Sequence, residues 1–223
     1  MPSRLRPTAS VAADAILVGD PGRALLLAQE LLEQPKMSNH ARGLWGYSGR
    51  TPAGMELTIQ STGMGGPSAA LVLGDLAKLG VRRAVRVGTC VGFGKALALG
   101  ELLIVGTAIA AGGSAGALGI ETGEKVLPNA TMTGQLEEEL ATAGCGVTIA
   151  SYDAHPDEQS PPAGVLAADM QTAPLLARAR YLDIDAAALL IVAERPGGNR
   201  FSKEDLETAE KRAGRVARAM LSA

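Results

Sequence analysis

Ala15-Ile16-Leu17-Val18-Gly19-Asp20-Pro21-Gly22-Arg23 is a short apolar run that breaks into glycine and proline and then continues, from Arg23 to Leu32, with leucines at helical spacing. It reads as the end of a strand, a tight loop and the start of a helix. Ala84-Val85-Arg86-Val87-Gly88-Thr89 repeats the theme: apolar strand residues, one arginine and a glycine that leaves the backbone open. Both segments fall in loops at the edge of a sheet. Exposed N–H groups and a guanidinium able to bind two oxygens at once suit such a place to holding a phosphate.

Outward from these two segments, strand-like and helix-like stretches alternate. Strands are expected at 15–18, 57–60, 84–87, 102–105, 147–150 and 187–192. Helices are expected at 23–32, at 68–79 after Pro67 and before Gly80, and at 135–143 before Gly144. The last helix, up to Leu221, starts at Ser202 with Asp205 as a capping-box-like pair, and sets Leu206, Ala209, Ala213, Val216, Ala217 and Met220 on one face. This alternation predicts an α/β fold, a three-layer α/β/α sandwich around a mixed, mostly parallel central sheet. A length of 223 residues with 47% hydrophobic content suits one domain over residues 1–223.

Composition narrows the function. Twenty-one basic against 23 acidic residues leave a net charge of −2, which offers no field for a nucleic-acid polymer. Cys90 and Cys145, with His40 and His155, form neither a disulfide framework nor a zinc motif, so no metal is expected. No secretory signal is legible after Arg4 and Arg6, because Pro7, Thr8, Ser10 and Asp14 interrupt any apolar stretch. The charge-free run Leu102 to Ile120 contains Gly106, Gly112, Gly113, Gly116 and Gly119. It reads as a strand followed by a flexible loop suited to a substrate-side lid, and not as a membrane span. A cytoplasmic protein without a membrane partner is the expectation.

Four segments, in order, carry a resemblance: Gly19-Asp-Pro-Gly-Arg23, Ala41-Arg-Gly-Leu-Trp-Gly-Tyr47, Ser61-Thr-Gly-Met-Gly-Gly-Pro-Ser68 and Arg86-Val-Gly-Thr-Cys90. Together they resemble the nucleoside phosphorylase-I family of hexameric purine nucleoside phosphorylases and uridine phosphorylases, and Met170 and the terminal helix extend the likeness along the chain. The resemblance implies a phosphorylase/hydrolase-like fold. It also implies phosphorolysis: phosphate attacks the anomeric carbon of a nucleoside and the base departs. It places Gly19, Arg23, Arg86 and Thr89 around phosphate, with Arg42 supplied by a neighbouring subunit of a homo-oligomer, from dimer to hexamer. Phosphate is a cosubstrate there, and no organic cofactor is implied. Read from the residues alone, Arg86 between Val85 and Val87 in a buried strand needs a partner, and an oxyanion is the partner expected.

The later positions depart from the family pattern. Asp169-Met170-Gln171 stands where the family carries Glu-Met-Glu, so the resemblance gives Met170 and Gln171 the sugar, with an amide in place of the gripping carboxylate. Cys90, Val91 and His155 fall at the base, where Val91 replaces a glycine and narrows the floor. The N-terminal segment offers Ser3, Arg4 and Arg6 in place of the family's intersubunit histidine. Glu194 stands where purine-specific relatives have an aspartate that protonates the base, and Arg195 where pyrimidine-specific relatives have an arginine; the residues alone also allow an exposed Glu194–Arg195 ion pair. The expected activity is that of a nucleoside phosphorylase, purine ahead of uridine. A repurposed phosphate-binding member and, last, a nucleosidase are the alternatives.

Overall fold

The computed structural model describes residues 4–142, 144 and 146–223. Ser3, Cys145 and the expected helix end at residue 143 lie outside the described residues. In chain order the main elements are β1 (Asp14–Val18), α1 (Pro21–Leu31), β2 (Glu33–Asn39), β3 (Gly46–Arg50), β4 (Glu56–Ser61), α2 (Gly66–Lys78), β5 (Arg83–Gly92) and β6 (Leu102–Ala110). There follow α3 (Gly113–Gly116), β7 (Lys125–Val126), α4 (Ala130–Glu139), β8 (Val147–Ser151), β9 (Ala167–Asp169), α5 (Thr172–Tyr181), β10 (Asp185–Arg195), β11 (Asn199–Arg200) and α6 (Lys203–Ser222).

Among the described residues the strands form one mixed sheet of 11, in the order β11-β10-β6-β8-β9-β5-β1-β4-β3-β2, with β7 on β6. Its middle is parallel: β4 pairs β1, β1 pairs β5 and β5 pairs β10 in the same direction. Antiparallel pairings lie to either side, including β2 with β3, β3 with β4, and β10 with both β6 and β11. Because β10 pairs both β5 and β6, and β9 joins β8 back to β5, these strands also close into a ring.

Strand alternation sorts the core onto two faces. Ile16 and Val18 of β1, Val85 and Val87 of β5 and Leu189 and Ile191 of β10 pack with α1, α4 and α6. Ala15 and Leu17, Ala84 and Cys90, and Ala188 and Leu190 pack with α2 and α5. The two helical layers expected of the sandwich are therefore present. Helix α6 begins as its sequence indicates, with Ser202 Oγ accepting from Asp205 N–H and donating to its carboxylate. At the chain's start, buried Asp75 of α2 accepts from the N–H groups of Arg4 and Leu5, which ties the N-terminal segment to the domain.

Every expected strand and helix has a counterpart, and the differences have physical causes. Helix α5 escaped the sequence reading because Thr172 to Ala177 are all buried, so it has no polar face to mark a period. Strand β2, Glu-Gln-Pro-Lys-Met-Ser-Asn, is a polar edge strand with little alternation. Helix α4 starts five residues before the expected position, capped by Asn129, whose side chain accepts from Met132 N–H. The glycine-containing run after Val105 is a correction: β6 continues to Ala110, the chain turns into α3, and no residue of 106–120 lines the cavity described below.

Helices α1 and α6 meet through Gly214, where a Cβ would lie 2.7 Å from Leu27 Cδ2. Leu27 is fully buried in this contact. Leu27→Ala is expected to lower unfolding stability by about 2–5 kcal/mol, read as a lower denaturant midpoint at unchanged m-value.

Candidate active site

The parallel strands β1, β4, β5 and β10 end on the same edge of the sheet, and the chain leaving them encloses a cavity of about 400 Å³. A crevice outside the carboxyl ends of parallel strands is where α/β proteins bind ligands. Gly19, Asp20 and Pro21 enter its wall from the β1–α1 loop, Gly63, Met64 and Gly65 from the loop after β4, and Thr89, Cys90 and Val91 from β5. Asp20 caps α1 by accepting from Arg23 N–H at 2.8 Å, so the positive end of an 11-residue helix faces the cavity.

The two arginines of this wall are buried and paired. Arg23, 8% exposed, donates through Nε to Glu210 of α6 at 2.6 Å. Arg86, 4% exposed, lies by alternation on the α2/α5 face between Ala84 and Gly88, where an apolar side chain would be expected. Its guanidinium folds back over Gly88, since a Cβ there would stand 2.5 Å from Nη2 and 2.6 Å from Cζ. The partner that the sequence demands for Arg86 is met within the protein, by the Asp169 carboxylate. Nη2 and Nε donate to Asp169 Oδ2 at 2.8 and 3.2 Å, Nε also to Thr172 Oγ1 at 3.1 Å, and Nη1 to Gln171 Oε1 at 2.7 Å.

Asp169, itself 2% exposed, accepts further from Ser151 Oγ at 2.6 Å and from Thr172 N–H and Oγ1. Removing either member of such a buried pair strands the other, at about 3–5 kcal/mol. A guanidinium has five N–H donors, so the contacts with Asp169, Thr172 and Gln171 leave part of the fork available on the cavity side.

Met170, His155, Pro156 and Glu194 also line the cavity. A register shift in β10 between Val192 and Glu194 turns both Ala193 and Glu194 toward the cavity. Glu194 Oε2 lies 3.2 Å from Arg200 Nε and 3.9 Å from His155 Nε2, while His155 Nδ1 shares a hydrogen bond with Asp157. Among the described residues His155, Asp157 and Glu194 also form a trio of metal-ligand type, one atom of each within 4.8 Å of the others. Arg200 already brings positive charge to that carboxylate. Burial is the main cause that pushes the Cys90 thiol well above its usual range, Asp169 adding to the shift and Arg86 opposing it, and Sγ contacts Ile191 O at 3.5 Å. Cys90 is therefore no nucleophile at neutral pH.

Gly19, Arg23, Arg86, Thr89, Cys90, Val91, His155, Met170, Gln171 and Glu194 thus line one cavity, although they come from distant parts of the chain. Two expected residues lie elsewhere. Arg195 Nη2 donates to the carbonyls of Gly94 and Lys95 and does not line the cavity, so the Glu194–Arg195 ion pair is replaced by Glu194 with Arg200. Arg42 is exposed in a short turn, with φ of 61°, and is also outside the cavity. Neither Arg4 nor Arg6 reaches it.

Sequence reasoning passed over Thr172 and Glu210, gave Asp169 no role of its own, and read Gly88 only as opening the backbone to an anion. Glu210 carried a signal: it is an acidic residue beside Ala209 and Ala213 on the buried side of an otherwise apolar helix stripe. Nothing along the chain joins Asp169 or Thr172 to Arg86, and only the folded arginine shows that Gly88 also makes room for the guanidinium.

Comparison with known proteins bears on the family and the fold. A purine nucleoside phosphorylase DeoD-type from Alkaliphilus metalliredigens is 28% identical over 213 residues, covering 89% of this chain and 90% of that protein. Those from Clostridium beijerinckii and Oceanobacillus iheyensis are 36% identical over 99 residues and 45% over 80, matches in which the chain spans 41% and 34% of those proteins' length. The fold is similar to that of uridine phosphorylase from Vibrio fischeri, with a TM-score of 0.81 at 20% identity over 95% of this chain and 92% of that one. The model of the phosphorylase superfamily matches residues 14–222, and the chain belongs to that family.

Proposed function

We propose that the protein is a nucleoside phosphorylase that cleaves the N-glycosidic bond of a purine nucleoside with phosphate. The observation that carries this reading is one cavity whose lining combines an anion-binding wall with a carboxyl group. Arg23, Arg86, Thr89, the Gly19 backbone and the α1 N-terminus form the wall, and Glu194 lines the same cavity. Relatives named purine nucleoside phosphorylase and a fold shared with a uridine phosphorylase support it.

In this reading the wall desolvates and aims phosphate at the anomeric carbon. A phosphate oxygen bonds to that carbon as the C–N bond breaks, its electron pair leaves with the base, and Glu194 gives the departing ring nitrogen a proton. The products are free base and ribose 1-phosphate. Met170 borders the sugar, and Cys90, Val91 and His155 border the base. Arg195 donates to backbone outside the cavity, which favours the purine reading over a pyrimidine one built on that side chain.

Each arginine of the wall is already balanced by a carboxylate, Arg23 by Glu210 and Arg86 by Asp169. A dianion therefore calls for further positive charge, and an exposed Arg42 on a turn outside its own cavity is suited to enter a neighbour's. This supports the reading of a homo-oligomer with Arg42 crossing the interface; phosphate as cosubstrate, with no metal or organic cofactor, and a cytoplasmic setting belong to the same proposal. The same internal pairing also favours a second reading, a member that binds phosphate without turnover.

Base release from inosine, adenosine, guanosine and uridine, followed by chromatography with and without phosphate, separates the readings. Release only with phosphate, and from purine nucleosides, is expected; phosphate-independent release would make the protein a nucleosidase, and none at all would leave the binding reading. Glu194→Gln is expected to lower kcat for purine nucleosides by about 10²–10⁴ while leaving the KM for phosphate within about twofold. Arg86→Lys keeps the charge that Asp169 requires but loses the planar fork, and steady-state kinetics should show the phosphate KM raised by about tenfold or more.

A further inference from the structure

Gln171 stands where a sugar-gripping carboxylate is expected, yet its amide is fully occupied by the protein. The side chain is 3% exposed. Its Oε1 accepts from Arg86 Nη1 at 2.7 Å and lies 3.4 Å from Thr62 Oγ1, and its Nε2 donates to the carbonyls of Gly63 at 2.5 Å and Gly65 at 3.2 Å. An amide has two N–H donors and one oxygen with two lone pairs, so these four partners use its capacity. They also fix its orientation, because a flipped amide would set N–H against the guanidinium and oxygen against two carbonyls.

A carboxylate at this position could accept from Arg86 but could donate nothing to Gly63 and Gly65. It would also place a second negative charge on a guanidinium that Asp169 already neutralises. The geometry is that of a change of role. Gly63 and Gly65 have φ of +73° and +81°, conformations that glycine adopts without strain, and their loop carries Met64 into the cavity wall. Gly19 lies beside the group, where a Cβ would be in ordinary contact with Gln171 Oε1 at 3.6 Å.

We propose that Gln171 is a positioning residue of the anion site and not a sugar ligand: one amide ties Arg86 to the Gly63–Gly65 loop. The inference rests on the phosphorylase reading for its kinetic test. Its direct test is phosphate binding, which needs no turnover. As a neutral side chain, Gln171 holds the guanidinium in place without adding a second negative charge to that of Asp169.

Wild type, Gln171→Glu and Gln171→Met are compared by calorimetric titration of the nucleoside-free protein with inorganic phosphate, and by phosphorolysis with ribo- and 2′-deoxyribonucleosides. Melting curves confirm folding, and Gln171→Met carries the test if the charged variant does not fold. Gln171→Glu is expected to weaken phosphate, in both Kd and KM, by about tenfold or more, and Gln171→Met to weaken it in the same direction. Nucleoside KM and the ratio of ribo to deoxyribo kcat/KM should stay within about twofold. A Gln171→Glu variant with unchanged phosphate affinity and higher kcat/KM for ribonucleosides would show that residue 171 grips the sugar, and would overturn the inference. Absence of phosphate-dependent base release from wild type that still binds phosphate would remove the phosphorylase reading while the calorimetric comparison continues to report on Gln171. Absence of phosphate binding by wild type would overturn both.

Discussion

A guanidinium in the middle of a protein core constrains nearly everything around this cavity. Arg86 lies on the face of β5 that Ala84 and Cys90 share with α2 and α5, and a buried arginine there is strongly unfavourable unless charge and hydrogen bonds are supplied at once. Asp169 supplies the charge, and Thr172 and Gln171 take further N–H groups. Gly88 supplies the space, because the guanidinium occupies the volume that any side chain at that position would need. The short strand β9 and the start of α5 are therefore held against β5 by a polar contact as well as by packing.

The same contact links fold to chemistry. Parallel strands bring their carboxyl ends to one edge, so the β1–α1 loop, the loop after β4 and the bulged end of β10 converge without any of them being close in sequence. The lining of the cavity brings helix dipole, backbone N–H groups and arginine together with Glu194, His155 and apolar side chains. Such a combination suits a site that holds an anion close to a group able to give a proton. The pairing of Arg23 with Glu210 and of Arg86 with Asp169 keeps both guanidinium groups oriented in the absence of ligand, at the expense of net positive charge.

Much of the fold was legible in the sequence where burial differs between two faces. Strands β1, β5, β6 and β10 are apolar runs bounded by charged or glycine residues, and α6 has a capped start and a continuous apolar stripe. Helix α5 was not legible, because a helix buried almost all round shows no period, and β2 was not, because a polar edge strand shows little alternation. Most of the candidate cavity residues were legible as well, since glycine-rich turns after apolar strands and an arginine inside one of them are local signals. Arg195 was misplaced because a bulge in β10 decides which of its neighbours faces inward, and no single residue marks that bulge.

The sequence by itself determined the strand–loop–helix units, the two-faced core and the family, because each rests on spacing along a continuous stretch. Only the tertiary structure decided what Arg86 binds, what Gly88 is for and how Gln171 spends its amide. Those answers depend on Asp169, Thr172 and the Gly63–Gly65 loop, which are far from Arg86 or Gln171 along the chain and meet them only because β9 and α5 pack against β5. A hydrogen bond is satisfied in space, within about 3 Å, and a linear sequence records which groups need partners without recording which partners they find.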